Sequence, residues 1–262
     1  MIVDFHVHCF PDEVAVKAVP KLASVAGIPA RLNGTINGIK DSMIKSGVDH
    51  CVVLTIATKP SQTETINTWA SEIQDSGITA FGSIHPQFEG WKNELKRIKD
   101  IGLKGIKLHP DYQNFFVDDE NLFPIYEMAF KLGLIVLFHT GVDIGLPPPC
   151  HATPERLIRV VKAYPGARIV AAHMGGFSLW DEVESILAGE DIFLDTSYSL
   201  GSISTEQLKR IIGKHGYEKI LFATDSPWKD QSEEIIKIRE LMLGSEVEKA
   251  ILGLNAKKLL RI

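Results

Sequence analysis

Eight short apolar runs, rich in β-branched residues, alternate along this chain with longer amphipathic stretches. No other feature restricts the architecture as strongly. The runs cover residues 2–8, 51–56, 79–85, 105–109, 135–139, 168–173, 192–196 and 220–225. Near-continuous apolar runs of this length suit strands buried on both faces, as in a parallel sheet. Helical patterns cover 38–46 ahead of the second run, then 63–76, 90–101, 122–132, 153–163, 177–188, 205–213 and 232–243. Thr153-Pro154-Glu155 reads as an N-cap, a proline at the first helical position and an acidic first turn, and Thr205-Glu206 and Ser232-Glu233-Glu234 read similarly. Gly102, Gly133 and Gly213 stand where helices need to stop.

Strands alternating with helices predict an α/β chain with a parallel sheet. A (β/α)8 barrel typically takes about 250 residues, and this chain has 262. We therefore expect a single-domain TIM barrel over residues 1–262. An open doubly wound sheet is the competitor, but no GxGxxG follows the first run to support its dinucleotide-binding form. The proline-rich Leu146-Pro147-Pro148-Pro149 falls after the fifth run, where a substrate-shaping loop is expected in place of a domain boundary.

The net charge is −5 and no block of like charge stands out, which argues against a nucleic-acid or membrane surface. No apolar run reaches the roughly 20 residues of a membrane span. The three cysteines, Cys9, Cys51 and Cys150, make no paired framework, so a reducing cytoplasm is the expected setting. A homodimer is open on this sequence.

The histidines are placed by position more than by number. Six of nine end a predicted strand: His6 and His8, His85, His109, His139 and His173. The seventh and eighth strands end in Asp195 and Asp225. In a (β/α)8 barrel the C-terminal strand ends converge on one face, which carries the active site. The other three histidines, His50, His151 and His215, lack that placement and are expected in surface or loop roles. His6 and His8 stand two apart, so their side chains share a face of the strand and can reach one metal. The pair alone would also fit two hydrogen-bonded structural histidines. His139 ends the apolar Leu134-Ile135-Val136-Leu137-Phe138 and needs a partner there, a metal or a carboxylate. Asp225 can bind a metal, orient a water or take its proton, or simply open the turn before Pro227. His173 reads as a further ligand or as a general acid/base beside a bound water. Lys107 and His109 share a face of the fourth strand. Lys107 could be a carbamylated lysine bridging two metals, or a buried cation paired with Asp195 or with a substrate carboxylate. His85, Asp195 and Trp228 are weaker candidates for supporting or substrate contacts. Cys9 should point away from His8, into the core.

Taken together, His6-x-His8, Gly105-Ile106-Lys107-Leu108-His109-Pro110, Phe138-His139-Thr140-Gly141, Ala172-His173-Met174-Gly175-Gly176 and Phe222-Ala223-Thr224-Asp225-Ser226-Pro227 resemble the amidohydrolase superfamily. More narrowly, they resemble its amidohydrolase-2 branch, which includes aminocarboxymuconate-semialdehyde decarboxylase. The resemblance implies a (β/α)8 barrel with one divalent ion. It implies His6, His8, His139 and Asp225 as ligands and His173 as the acid/base. His109 is not a ligand in the decarboxylase pattern, which leaves a second metal open. Arg31 is the only early arginine placed to meet a substrate carboxylate.

The leading expectation is a metal-dependent hydrolase of a small cyclic amide, amide or lactone, with His173 and Asp225 managing protons for a metal-activated water. The alternative is a non-oxidative decarboxylase or hydratase of a small unsaturated or aromatic carboxylic acid at the same site. Zinc is the expected ion, because imidazole and carboxylate donors suit it.

Overall fold

A computed structural model describes residues 1–262. All eight predicted strands form, each shorter than its apolar run and β8 most of all: β1 Val3–Val7, β2 His50–Leu54, β3 Ile78–Phe81, β4 Gly105–Leu108, β5 Ile135–Phe138, β6 Ile169–Ala171, β7 Phe193–Asp195 and β8 Ile220–Leu221. Every ladder is parallel and joins consecutive strands. Regular pairing runs through β1-β2-β3 and through β4-β5-β6-β7-β8. Two seams separate these sheets, and isolated bridges cross both: Gly82 with Ile106, and Val7 with Ser226. At the second seam Phe5 N donates to Phe222 O and Asp225 N donates to His6 O. The strands thus follow one another in barrel order, with sparse pairing at the two seams.

Alternation along the strands divides the core. Val3, Phe5, Val52, Leu54, Phe81, Ile135, Leu137, Val170, Leu221 and Ala223 meet inside the ring, where Ala256, Leu259 and Leu260 of the helix Asn255–Leu260 close its lower end. The intervening residues, such as Ile106, Leu108, Val136, Phe138 and Leu194, pack outward against the helices. Gly105 leaves no room for a side chain at this level: a Cβ there would lie 2.5 Å from Ile135 O and 2.7 Å from Phe81 Cε2.

β1 breaks the alternation. Phe5 faces the interior and Val7 packs outward, yet the His6 ring also meets interior groups. The pairing register with β2 shifts between Asp4 and Val7, the signature of a bulge. That irregularity turns His6 inward as well as Phe5, and His8 follows two residues on.

Two helical regions were absent from the sequence reading. The helix Asp12–Ala26 follows β1, and the helices Ser245–Lys249 and Asn255–Leu260 follow the last strand unit. Some expected boundaries also move. Gly213 lies inside the helix Thr205–His215, which stops at Gly216. The caps of two later helices are Ser204 and Asp230, because their side chains reach the free backbone N–H groups first. His50 and His215 are buried structural histidines, not surface ones: His50 Nε2 meets Thr79 Oγ1 at 2.8 Å and His215 Nε2 meets Ile192 O at 2.9 Å. No helix is long and apolar enough to cross a membrane.

Candidate metal centre

Three acceptor atoms converge at the mouth of the ring. His6 Nε2 and His8 Nε2 lie 3.1 Å apart, and Asp225 Oδ1 lies 3.3 Å from the first and 3.2 Å from the second. What each imidazole does with its other nitrogen decides what these atoms can be. His6 Nδ1 sits 2.9 Å from Asp195 Oδ2, so the proton belongs on Nδ1 and Nε2 is bare in the neutral ring. His8 Nδ1 sits 3.1 Å from Leu54 O, with the same consequence. Burial, aided by the nearby Lys107 ammonium, holds His6 well below the ordinary imidazole range and keeps it neutral. Burial pushes the Asp225 carboxyl up, but the His8 and His6 imidazoles packed against it more than offset burial and hold it well below its usual range. Two bare lone pairs and a carboxylate oxygen within 3.3 Å need positive charge between them. A proton on one ring serves one pair, whereas a divalent ion serves all three. The residues therefore fit a divalent cation, with the second nitrogen of each histidine anchored as metal-binding histidines usually require.

Asp195, fully buried at the end of β7, organises this arrangement. Besides His6 Nδ1–H it accepts from the backbone N–H of His173 and Ser197, each at 3.0 Å, and from Ser197 Oγ. His173 Nδ1 donates to Ser197 O at 2.9 Å, which leaves its Nε2 facing His139 Nδ1 at 3.0 Å. The tautomers then propagate. If His173 Nε2 accepts, His139 Nδ1 carries the proton and His139 Nε2 is bare. That nitrogen is buried without a hydrogen-bond partner and lies 3.9 Å from Asp143 Oδ2. Burial, with the His109 and His173 rings beside it, holds His139 well below the usual imidazole range. His173, Tyr198 and Asp225 all adopt left-handed backbone, with φ of 58°, 52° and 69°, a conformation that non-glycine residues keep only where their surroundings enforce it.

A second group of ligand-type residues lies alongside: His109, His139 and Asp143. Its hydrogen bonding differs. His109 Nδ1 accepts from Tyr112 N at 3.3 Å, so His109 Nε2 carries the proton and donates to Asp143 Oδ2 at 3.2 Å. The His109 and His139 rings stack at 4.0 Å with planes 13° apart. Imidazole lone pairs lie in the ring plane, and two nearly parallel planes at that spacing share no point where an ion could sit. His109 therefore supports Asp143 and offers no lone pair of its own.

The remaining sequence candidates divide. Asp195 joins the centre as the partner of His6. Lys107 lies buried beneath it, with Nζ 3.5 Å from His6 Nε2 and no carboxylate in ion-pair contact. Burial pushes its ammonium down to about 8. Trp228 lines the cavity above the centre. His85 does not take part; its Nδ1 accepts from Gln87 N at 3.2 Å. Cys9 is buried as expected and also forms part of the cavity wall. Arg31 pairs with Glu233 at the surface and does not reach the cavity. Asp143, Ser197 and Tyr112 were not found from sequence. Asp143 stands four residues beyond His139 in a loop, where attention to strand ends could not reach it.

The cavity above the centre holds about 790 Å³ and is bounded at its polar end by His8, His109, His139, Asp143, His173 and Asp225. Phe177, Tyr198 and Trp228 line it nearby, and no arginine does.

The chain belongs to the amidohydrolase family: that family's model matches residues 41–262. No curated protein matches it in sequence. Among solved structures it resembles 5-carboxyvanillate decarboxylase from Novosphingobium aromaticivorans, complexed with manganese and 4-hydroxy-3-methoxy-5-nitrobenzoic acid. Identity is 13%, the TM-score is 0.77, and the match covers 100% of this chain and 96% of that one. It also resembles 2,6-dihydroxybenzoate decarboxylase from Rhizobium, with 16% identity, a TM-score of 0.72 and coverage of 99% and 98%. An uncharacterised TIM-barrel protein from Bordetella bronchiseptica matches with 18% identity, a TM-score of 0.78 and coverage of 99% and 98%. These likenesses establish the barrel fold.

Proposed function

We propose that this protein is a metal-dependent carboxy-lyase that removes CO2 from a small aromatic or unsaturated carboxylic acid. The observation that carries the reading is the convergence of His6 Nε2, His8 Nε2 and Asp225 Oδ1, each histidine anchored through its other nitrogen, at the floor of an aromatic-lined cavity. The decarboxylases among its structural neighbours favour this reaction over hydrolysis of an amide or lactone, the other reading of the sequence.

His6, His8 and Asp225 would hold the ion, with His139 as the fourth donor through its unpartnered Nε2. Imidazole and carboxylate donors admit zinc and manganese alike, and manganese is the ion bound in the vanillate-type neighbour. When bound, the ion supplies Lewis-acid polarisation at the substrate's oxygen atoms. Asp225, held ionised, binds and does not deliver a proton. Lys107 adds positive charge from beneath the centre without lining the cavity, the complement that a substrate carboxylate requires where arginine is absent. The C–C bond breaks with its electron pair left on the substrate carbon, and CO2 departs. His173, fixed by Ser197 O, relays through Nε2 the solvent proton that closes the new C–H bond, its hydrogen bond with His139 Nδ1 opening for the transfer.

The test is CO2 release from a panel of aromatic and unsaturated acids, including 2,6-dihydroxybenzoate and 5-carboxyvanillate, by protein loaded with manganese or zinc and by chelated protein. We expect turnover of at least one acid that falls by at least about a hundredfold on chelation. Hydrolysis of lactones or cyclic amides with no CO2 release from any acid would return the reading to the hydrolase.

A further inference from the structure

The helix Asp12–Ala26 carries two apolar stripes, and only one of them reaches the core. Ala15 and Val19 are buried against the protein. The second stripe, Val14, Ala18, Leu22 and Ala26, is spaced by four residues, so it forms a single face one turn apart at each step. All four line the cavity above the metal centre, and none is buried by protein. The stripe extends roughly 18 Å along the helix at 1.5 Å per residue. Ile66 and Trp69 of the helix Thr63–Glu72, both half-buried, line the same cavity and add a second apolar wall. The loop after β5 closes the far side: Val142 and Ile144 line the cavity, and a Cβ on Gly145 would lie 3.7 Å from Ala26 Cβ. The same cavity includes His8, His139, His173 and Asp225 at its polar end.

A cavity of about 790 Å³ lies in the upper part of the range that encloses drug-sized ligands. A single-ring acid at the metal centre would leave the walls of both helices wet. Apolar surface facing a concave space gains free energy only when something apolar fills it. Resting on the site reading above, we infer that the substrate is a carboxylic acid bearing an apolar arm, an alkyl chain or a second ring, which lies between the helices Asp12–Ala26 and Thr63–Glu72. The arm is held by Val14, Ala18, Leu22, Ile66 and Trp69, and the carboxyl end faces the metal centre. The polar end thus selects the reacting group, and the arm selects the size and apolarity of the rest.

The experiment is calorimetry of benzoate, 4-ethylbenzoate, 4-butylbenzoate and 4-hexylbenzoate binding to the manganese-loaded full chain, repeated on chelated protein. Each methylene buried in the arm should tighten binding by up to about fourfold, the equivalent of about 0.8 kcal/mol. We expect 4-butylbenzoate to bind at least about thirtyfold more tightly than benzoate. Ala18→Phe, which fills the arm from one wall, should cut that gain below about threefold. Ile66→Asp does so from the other wall and serves should Ala18→Phe not fold, with thermal midpoint and metal content monitored in both. Benzoate binding with no dependence on chain length would overturn the arm and leave the metal reading intact. A chain-length gain that persists undiminished in chelated protein, with no effect of metal on benzoate, would uphold the arm and remove the metal end. A dimer by light scattering with a flat series would assign the stripe to a second copy of this chain, against the proposal. No binding by any member would overturn the arm as well.

Discussion

Two triads of similar composition stand side by side at the mouth of this barrel. His6, His8 and Asp225 form one, and His109, His139 and Asp143 form the other. Each has two imidazoles and one carboxylate, and each brings its ligand-type atoms within 4.8 Å of one another. Their hydrogen bonding separates them. In the first triad, Asp195 and Leu54 O take the protons of His6 and His8, so three acceptors face one point. In the second, the Tyr112 backbone N–H occupies Nδ1 of His109, so the remaining proton points at Asp143 and satisfies it. Only His139 is left with a bare nitrogen, on the side facing Asp143. The lesson is that residue type and proximity do not define a metal site; the partner of the second ring nitrogen does.

This contrast can be broken most sharply at Asp225. Asp225→Asn removes a negative charge and one ligand oxygen while keeping the side chain's shape. We expect turnover of the identified acid to fall by at least about a hundredfold, since loss of a ligand should cost no less than the upper end of what loss of a ligand's partner costs, with near-native circular dichroism. Near-normal turnover would leave Asp225 as a turn residue before Pro227.

The pair His139 and His173 distinguishes ligand from acid. His139→Ala and His6→Ala should lose metal on dialysis against a weak chelator, measured as ions per chain. His173→Ala should keep its metal and lose turnover by about a hundredfold or more, because a positioned acid contributes mainly to proton transfer. If His173→Ala emerges as metal-free as His6→Ala, His173 is a ligand and the scheme above fails.

A smaller effect is expected one layer out. Asp195→Asn keeps a hydrogen-bond acceptor for His6 but weakens its hold on the Nδ1 proton. Metal affinity should drop about ten- to a hundredfold, the range for such supporting partners, measured by competition with a chromophoric chelator. Unchanged affinity would show that Asp195 only packs.

The smallest effect belongs to the second triad. His109→Phe preserves the flat ring against His139 but removes the donor to Asp143. We expect metal affinity within about threefold of the parent. Stability should fall by about 1–3 kcal/mol, the cost of leaving a buried polar group without its partner, read from denaturant unfolding. Loss of the ion comparable to His6→Ala would make the two triads equivalent and bring back a second metal.

Much of this molecule was readable in its amino acids. Continuous apolar runs and the amphipathic stretches between them are local features of the chain, so they announce the barrel directly. Because parallel strands all end at the same face, strand-ending His6, His8, His139, His173 and Asp225 could be assigned to one mouth before any distance was known. The helix Asp12–Ala26 escaped, since its core stripe is only Ala15 and Val19 and its other apolar stripe faces a cavity. His85 was over-read, because ending a strand places a side chain near the mouth without aiming it at the centre.

What the tertiary structure alone decided is narrower and concerns protons. The bulge in β1 that turns His6 inward depends on pairing with β2, about 45 residues away along the chain. The bare nitrogens exist because Leu54, Asp195 and Ser197, from two other strand units, take the opposite protons. Asp143 enters from a loop whose path no periodicity records. A sequence carries its periods locally, whereas a tautomer is set by whichever group the fold brings within about 3 Å of the ring.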